Sequence, residues 1–297
     1  MKRFVILIAC LVVALGIAFA RRSRTTPPGP AADHPRVPAG ARTVDISFFS
    51  PALGRTMQYR VVEPSEMTAA KLPVVFLLHG GGGTYRDWTN YSDVARFALS
   101  GLVLVMPDAD ESWYTNSASR PRDRYEDYIV QDLISDVQKR FPVLSARSAT
   151  GAIGISMGGY GAIKIALHHP ELFSFVGALS PAVDVPRRGF EPQRAAQWYH
   201  YRQIFGPGGS DTRVQNDLFH LISRRVDPRD TPFFYITCGE QEALLLPNRE
   251  FVDDLRGRGF RFEFHEAEGG HNWQQWNAQL PGVFLALQSE IRPAQRH

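Results

Sequence analysis

Cysteine is scarce: Cys10 and Cys238 are the only two in 297 residues, so no disulfide framework holds the chain and packing must supply its stability. An excess of either charge is also missing. The 33 Lys and Arg stand against 30 Asp and Glu, which leaves no basic face of the kind a nucleic-acid partner requires. His-x-x-x-His and paired-Cys spacings are absent too, so neither a metal nor a cofactor is indicated. No internal repeat or low-complexity domain is present. What remains, 44% hydrophobic and 21% charged residues with 25 Gly and 21 Pro, is the composition of an ordinary folded protein. The length suffices for one large domain or two small ones.

The one long apolar run lies at the start. Lys2 and Arg3 precede an unbroken stretch from Phe4 to Ala20 that ends Ala18-Phe19-Ala20, the small-x-small pattern of a signal-peptidase site. Residues 1–20 read as an export signal, which makes the protein secreted or periplasmic. The alternative is a membrane anchor retained through residues 4–20, with the domain outside the cytoplasm, since 17 apolar residues are at the lower limit for a span. Cleavage would remove Cys10 and lower the formal charge from +3 to +1. Residues 21–42, rich in Pro, Arg, Ala and Thr, read as an extended linker. The folded domain is expected over 43–292, with a short tail at 293–297.

Val44, Ile46 and Phe48 alternate with polar neighbours as in a half-buried strand, and Tyr59 to Val62 reads as its hairpin partner. Continuous apolar runs follow at Val74–Leu78, Leu102–Met106, Ala152–Ile155, Phe175–Leu179 and Phe233–Thr237. Helix-period segments separate them at Tyr128–Phe141, Met157–His168 and Asn248–Arg258. Apolar strands alternating with helices predict an α/β domain: a mostly parallel central sheet with helices on both faces and an antiparallel hairpin at the N-terminus.

Gly154-Ile155-Ser156-Met157-Gly158 follows a strand and opens a helix, the setting of a nucleophile elbow, in which a serine on a strained turn projects its hydroxyl from the sheet edge. A serine needs a base. Among nine histidines, His271 has the best setting, in a Gly-rich loop after the last strand. His168 and His169 end the helix after Ser156 and are expected to meet its C-terminal carbonyls. His79 reads as structural, and His34, His200, His220, His265 and His297 have no comparable setting. The imidazole in turn needs a carboxylate. Glu240 and Glu242 follow the strand Phe233–Thr237, and Asp184 follows the strand before it, so these three are open on the residues alone. His79-Gly80-Gly81-Gly82-Gly83 follows the strand Val74–Leu78, and the amides of Gly81 and Met157 are the expected oxyanion donors. Among the loop aromatics, Trp113, Tyr114 and Trp273 are candidates to contact substrate, with core cover as the plainer alternative for each. Cys238 reads as a small buried apolar residue.

With those residues in place, the chain resembles the putative-esterase family of α/β-hydrolases, which includes S-formylglutathione hydrolases, tributyrin esterases, feruloyl esterases and antigen 85 mycolyltransferases. The resemblance runs through LLHGGGGTYRDW, MPDADESWYTN, YEDYI, GISMGGYGA, HPELF, FGPGGS, NDLFHL, CGEQE, NREF and GGHNW in order. It implies the α/β-hydrolase fold, Ser156 as nucleophile, His271 as base and the carboxylate at Glu242. Many of these esterases carry Asp at that position, whereas the mycolyltransferases use Glu. The implied activity is carboxylic ester hydrolysis through an acyl-enzyme, on a small-molecule or glycan-linked ester. Acyl transfer to a sugar or alcohol is the alternative, and a catalytically silent surface binding module is a third reading. Oligomeric state is not legible.

Overall fold

The computed structural model describes residues 32–66, 70–224 and 227–291. The export signal, the first part of the linker and the tail at 293–297 lie outside the described residues. The architecture below belongs to one compact unit, Pro35–His297.

Eight strands form one sheet: β1 (Ala41–Ser50), β2 (Arg55–Pro64), β3 (Val74–Leu78), β4 (Val103–Pro107), β5 (Thr150–Ile155), β6 (Phe175–Leu179), β7 (Phe233–Gly239) and β8 (Phe262–Ala267). Their order is β1-β2-β4-β3-β5-β6-β7-β8. The β1–β2 and β2–β4 pairs are antiparallel and the rest parallel. Every residue of β3, β4, β5 and β6 is buried, which is why these strands, Thr150 at the start of β5 apart, are apolar rather than alternating. On the edge strand β1 the expected inward face closes only gradually: Val44 is 37% exposed, whereas Phe48 is buried. The turn between β1 and β2 is tied down by Asp132, which accepts from Ser50 Oγ (2.5 Å) and the Ala52 amide (2.9 Å).

Successive residues of the strands feed two cores, as the two-residue period of a strand requires. Phe76, Val105, Ala152, Val176 and Ile236 face one core, and Val75, Leu104, Ile153, Phe175 and Tyr235 face the other. Among the described residues, the α-helices longer than one turn are α1 (Asp87–Tyr91), α2 (Ile134–Arg140), α3 (Met157–His168), α4 (Ala195–Phe205), α5 (Asp211–Gln215), α6 (Leu218–Arg224), α7 (Leu245–Gly257) and α8 (Trp273–Glu290). A π-helical turn, Tyr128–Leu133, leads into α2, so the segment read as one regular helix changes its winding partway. Helix α3 is buried on nearly every side, with β5 and β6 against one face and α6 against another. Among the described residues no helix is long and apolar enough to cross a membrane.

Candidate active site

Ser156 stands between the end of β5 and the start of α3 with φ 53° and ψ −112°, a conformation that costs a non-glycine residue on the order of 1–3 kcal/mol. The surroundings hold it there. Its amide donates to the Leu179 carbonyl (2.9 Å), and its own carbonyl accepts from the Tyr160 amide (3.0 Å). The flanking glycines are obligatory by contact: a β-carbon at Gly154 would lie 2.1 Å from the Gly158 carbonyl oxygen, and one at Gly158 would lie 2.2 Å from that of Leu78. Strand and helix backbones therefore approach closely enough to bend the chain sharply at the serine.

His271 Nε2 lies 2.9 Å from Ser156 Oγ, and its Nδ1 lies 2.6 Å from Glu242 Oε2. Two loops create this convergence, one after β7 and one after β8. They touch backbone to backbone, because a β-carbon at Gly239 would fall 2.4 Å from the Gly269 carbonyl and 2.6 Å from Glu242 Oε1. The Glu242 carboxylate has no exposed side-chain surface, while the imidazole is 39% exposed. Its other oxygen, Oε1, accepts from Ser180 Oγ (2.6 Å) and from the Gly239 amide (2.8 Å). Burial would raise this carboxyl, but the hydrogen bonds from His271, Ser180 and Gly239 outweigh that effect and hold it below the usual range. An ionised Glu242 accepts, so Nδ1 carries the imidazole proton and Nε2 presents its lone pair to the serine hydroxyl.

Ser180 and Trp276 are the members of this cluster that sequence reasoning missed in these roles. Ser180 follows β6 with φ 48° and is fully buried. Its hydroxyl donates to Glu242 and accepts from Trp276 Nε1 (3.0 Å). The Trp276 ring meets the imidazole edge-on, with centroids 5.1 Å apart. Of the rival carboxylates, Asp184 is paired with Arg188 (2.8 Å) and Glu240 is exposed; the imidazole meets neither.

The glycine run lies against the turn at Ser156, since a β-carbon at Gly80 would sit 3.5 Å from the Ser156 β-carbon. His79 anchors it as a structural residue: its Nε2 accepts from the Ala109 amide (3.0 Å), so its Nδ1–H donates to the Gly80 carbonyl (2.8 Å). Among the described residues, neither the Gly81 nor the Met157 amide donates to another group of the protein.

Two of the candidate aromatics lie in the core. Tyr114 is completely buried, its ring seated where a β-carbon on Gly161 would come within 2.5 Å and its hydroxyl donating to the His79 carbonyl (3.0 Å). Trp113 is buried among Tyr160, Tyr201 and Phe205. Tyr201 and Phe205, which meet Trp113, come from α4. Trp273 is half-buried and packs on Trp88, Tyr91 and Trp276. His168 and His169 also differ from expectation. Rather than capping their helix, they meet the Glu126 carboxylate (2.7 and 3.1 Å), which Lys164 Nζ contacts from the other side (2.6 Å).

The model of the family described as "Putative esterase" matches residues 50–287. An acetyl esterase of Caldicellulosiruptor saccharolyticus is 25% identical over 256 residues, covering 81% of this chain and 96% of that one. A diacylglycerol acyltransferase/mycolyltransferase Ag85B of Mycobacterium leprae is 26% identical over 257 residues, covering 75% and 78%. Among solved structures, the fluorophosphonate-binding serine hydrolase F of Staphylococcus aureus superposes with a TM-score of 0.72 at 25% identity, covering 85% and 99%. The chain belongs to the putative-esterase family and is a serine hydrolase of carboxylic esters with the α/β-hydrolase fold.

Proposed function

We propose that the protein is an exported carboxylesterase that works through Ser156, His271 and Glu242. The observation that carries this reading is one imidazole spanning 2.6 Å to a buried carboxylate and 2.9 Å to a serine hydroxyl on a strained turn. His271 Nε2 takes the Ser156 proton as Oγ attacks the ester carbonyl, and the Gly81 and Met157 amides receive the oxyanion. The tetrahedral intermediate collapses, Nε2 returns the proton to the departing alcohol, and Oγ remains acylated. Water, deprotonated by the same nitrogen, then releases the acid and restores the serine. Replacing Ser156 with Ala should lower kcat by several orders of magnitude on a p-nitrophenyl ester with the fold intact by circular dichroism. Hydrolysis near the wild-type rate by that variant overturns the scheme.

Export rests on Lys2, Arg3 and the apolar run ending Ala18-Phe19-Ala20. It favours an extracytoplasmic substrate, a short-chain acyl group on a glycan or small alcohol, over a cytosolic thioester. A mature N-terminus at Arg21 in the exported fraction is the expected finding; an intact Met1 in the membrane fraction identifies an anchor instead. Acyl transfer is the second reading, favoured by the similarity to Ag85B proteins named as acyltransferases. Product analysis in the presence of a sugar acceptor separates it from hydrolysis.

A further inference from the structure

Arg213, on α5, is a buried cation without a counter-ion. The residue is 7% exposed. Its Nε donates to the Gly206 carbonyl (2.9 Å) and its Nη1 to the Pro186 carbonyl (3.0 Å), so the guanidinium is held between the turn that follows β6 and the loop that joins α4 to α5. Among the described residues no carboxylate pairs with it, and Nη2 has no acceptor although it is not sealed from solvent. The charge that acts on it is a second cation, Arg202. Burial and this repulsion both push the Arg213 pKa down, and no carboxylate acts in the other direction. A charge taken out of water is ordinarily paired, so the arrangement lacks an anion.

The guanidinium lines a cleft of about 360 Å3 together with Arg187, Arg188, Trp198 and Asp217, among others. The charges of that wall do not cancel. Arg187 is matched by Asp217 (2.8 Å) and Arg188 by Asp184 (2.8 Å), which leaves Arg213 over. Arg202 adds to the excess: its guanidinium lies 5.6 Å from the centre of the Trp198 ring, and among the described residues no carboxylate pairs with it either. Gly208 and Gly209, on the same wall, contribute main-chain donors. Neither amide donates to another described residue, and a β-carbon on either would meet nothing within 4 Å, so the space beside them is open. Ser156, Glu242 and His271 take no part in this cleft.

We propose that this cleft binds a phosphate group, with Arg213 as its anchor and Arg202 and the amides of Gly208 and Gly209 as further donors. A guanidinium held at two nitrogens by carbonyls presents its remaining N–H groups in a fixed direction, which suits the oxygens of a phosphate. Donors from two arginines and two amides match a tetrahedral anion, with acceptors on every side, better than a planar carboxylate. The site stands apart from the triad and gives the protein a second ligand besides its ester. Free phosphate and the phosphate of a lipid headgroup share this chemistry, and the test separates them.

The test uses two probes: sodium phosphate in calorimetric titration, with ionic strength held constant by sodium chloride, and phosphatidylglycerol vesicles in co-sedimentation. Saturable binding of at least one probe is expected. Arg213→Met should weaken it by about tenfold or more, because a charge-assisted hydrogen bond is lost. Arg213 also ties two main-chain segments together, so Arg202→Gln, a change at an exposed side chain, decides the matter if Arg213→Met does not fold. It should weaken binding by about threefold or more. Arg256→Gln, at an exposed arginine of α7, should leave binding unchanged. Binding of inorganic phosphate without sedimentation identifies free phosphate as the ligand, and sedimentation that Arg202→Gln reduces identifies the headgroup. Saturable binding of neither probe, wild-type affinity in Arg202→Gln, or an equal loss in Arg256→Gln overturns the site.

Discussion

Ser180 offers the sharpest test of how Glu242, the acid of the proposed triad, is held. Its hydroxyl donates to Glu242 at 2.6 Å and accepts from Trp276 Nε1 at 3.0 Å, all inside the protein. Ser180→Ala leaves the β-carbon in place, so the positive φ is strained equally before and after the change. What disappears is a charge-assisted hydrogen bond, about 1.5–3 kcal/mol, and what remains is an indole N–H with no acceptor, a further cost of about 1–3 kcal/mol. A net loss on the order of 3 kcal/mol is expected, or roughly 6–12 °C in Tm for a chain of this size. Catalysis should fall about tenfold in kcat/KM as the carboxylate loses one of its three holds. The pH dependence has a definite sign. The Glu242 carboxyl is held below its ordinary 4.5, so its contribution to stability is present above that pH and disappears as acid takes the pH through the folded value. Removing the Ser180 bond moves the folded value up, so the variant should unfold at a higher pH on acidification. Thermal melts, acid titration by circular dichroism and ester kinetics read all three effects. A variant within 2 °C, with an unshifted acid transition and kcat/KM within about twofold of wild type, refutes the role given to Ser180.

Gly239→Ala should separate the loops that carry Glu242 and His271, whose backbones meet where the new β-carbon would sit 2.4 Å from the Gly269 carbonyl. At least about 100-fold loss of kcat/KM with retained circular dichroism is expected, and an active variant contradicts the contact. Lys164→Met leaves the Glu126 carboxylate buried against the two histidines alone and should cost about 3–5 kcal/mol in urea unfolding. A change below about 1 kcal/mol would show that the histidines suffice. The Cys238 thiol, completely buried and pushed up to about 12 by burial, should resist iodoacetamide at pH 8 until denaturant is added. Prompt labelling of the native protein would count against its burial.

The parts of this molecule that rest on local pattern were legible before any coordinates. Ser156 follows an apolar strand and opens a helix between two glycines, and His271 sits among glycines after the final strand, so both announce themselves in sequence. The two-sided sheet was equally visible, because strands buried on both faces must be apolar throughout. The carboxylate was harder. Glu240, Glu242 and Asp184 all follow strands; the family resemblance pointed to Glu242, and in the structure its loop folds back so that it accepts from the Gly239 amide and meets His271. Ser180 left no signal, since its partners are 62 and 96 residues away and a serine after a strand is unremarkable. The burial of Trp113 and Tyr114 was hidden for a related reason: their loop takes up left-handed backbone at Asp, Trp and Tyr, where no glycine marks the turn. The ion pair of Lys164 with Glu126 was hidden in the same way, because a lysine on a helix ordinarily implies a wet face, whereas α3 has scarcely any.

The sealed thiol of Cys238 has a practical side. In a chain shortened to remove residues 1–20, every other position is free of sulfhydryl chemistry, so one cysteine placed on the outside becomes a unique attachment point. Leu246, 65% exposed on α7, is such a position. A maleimide dye there would report on surface adsorption or immobilise the protein in one orientation, without any need to mutate the natural cysteine first.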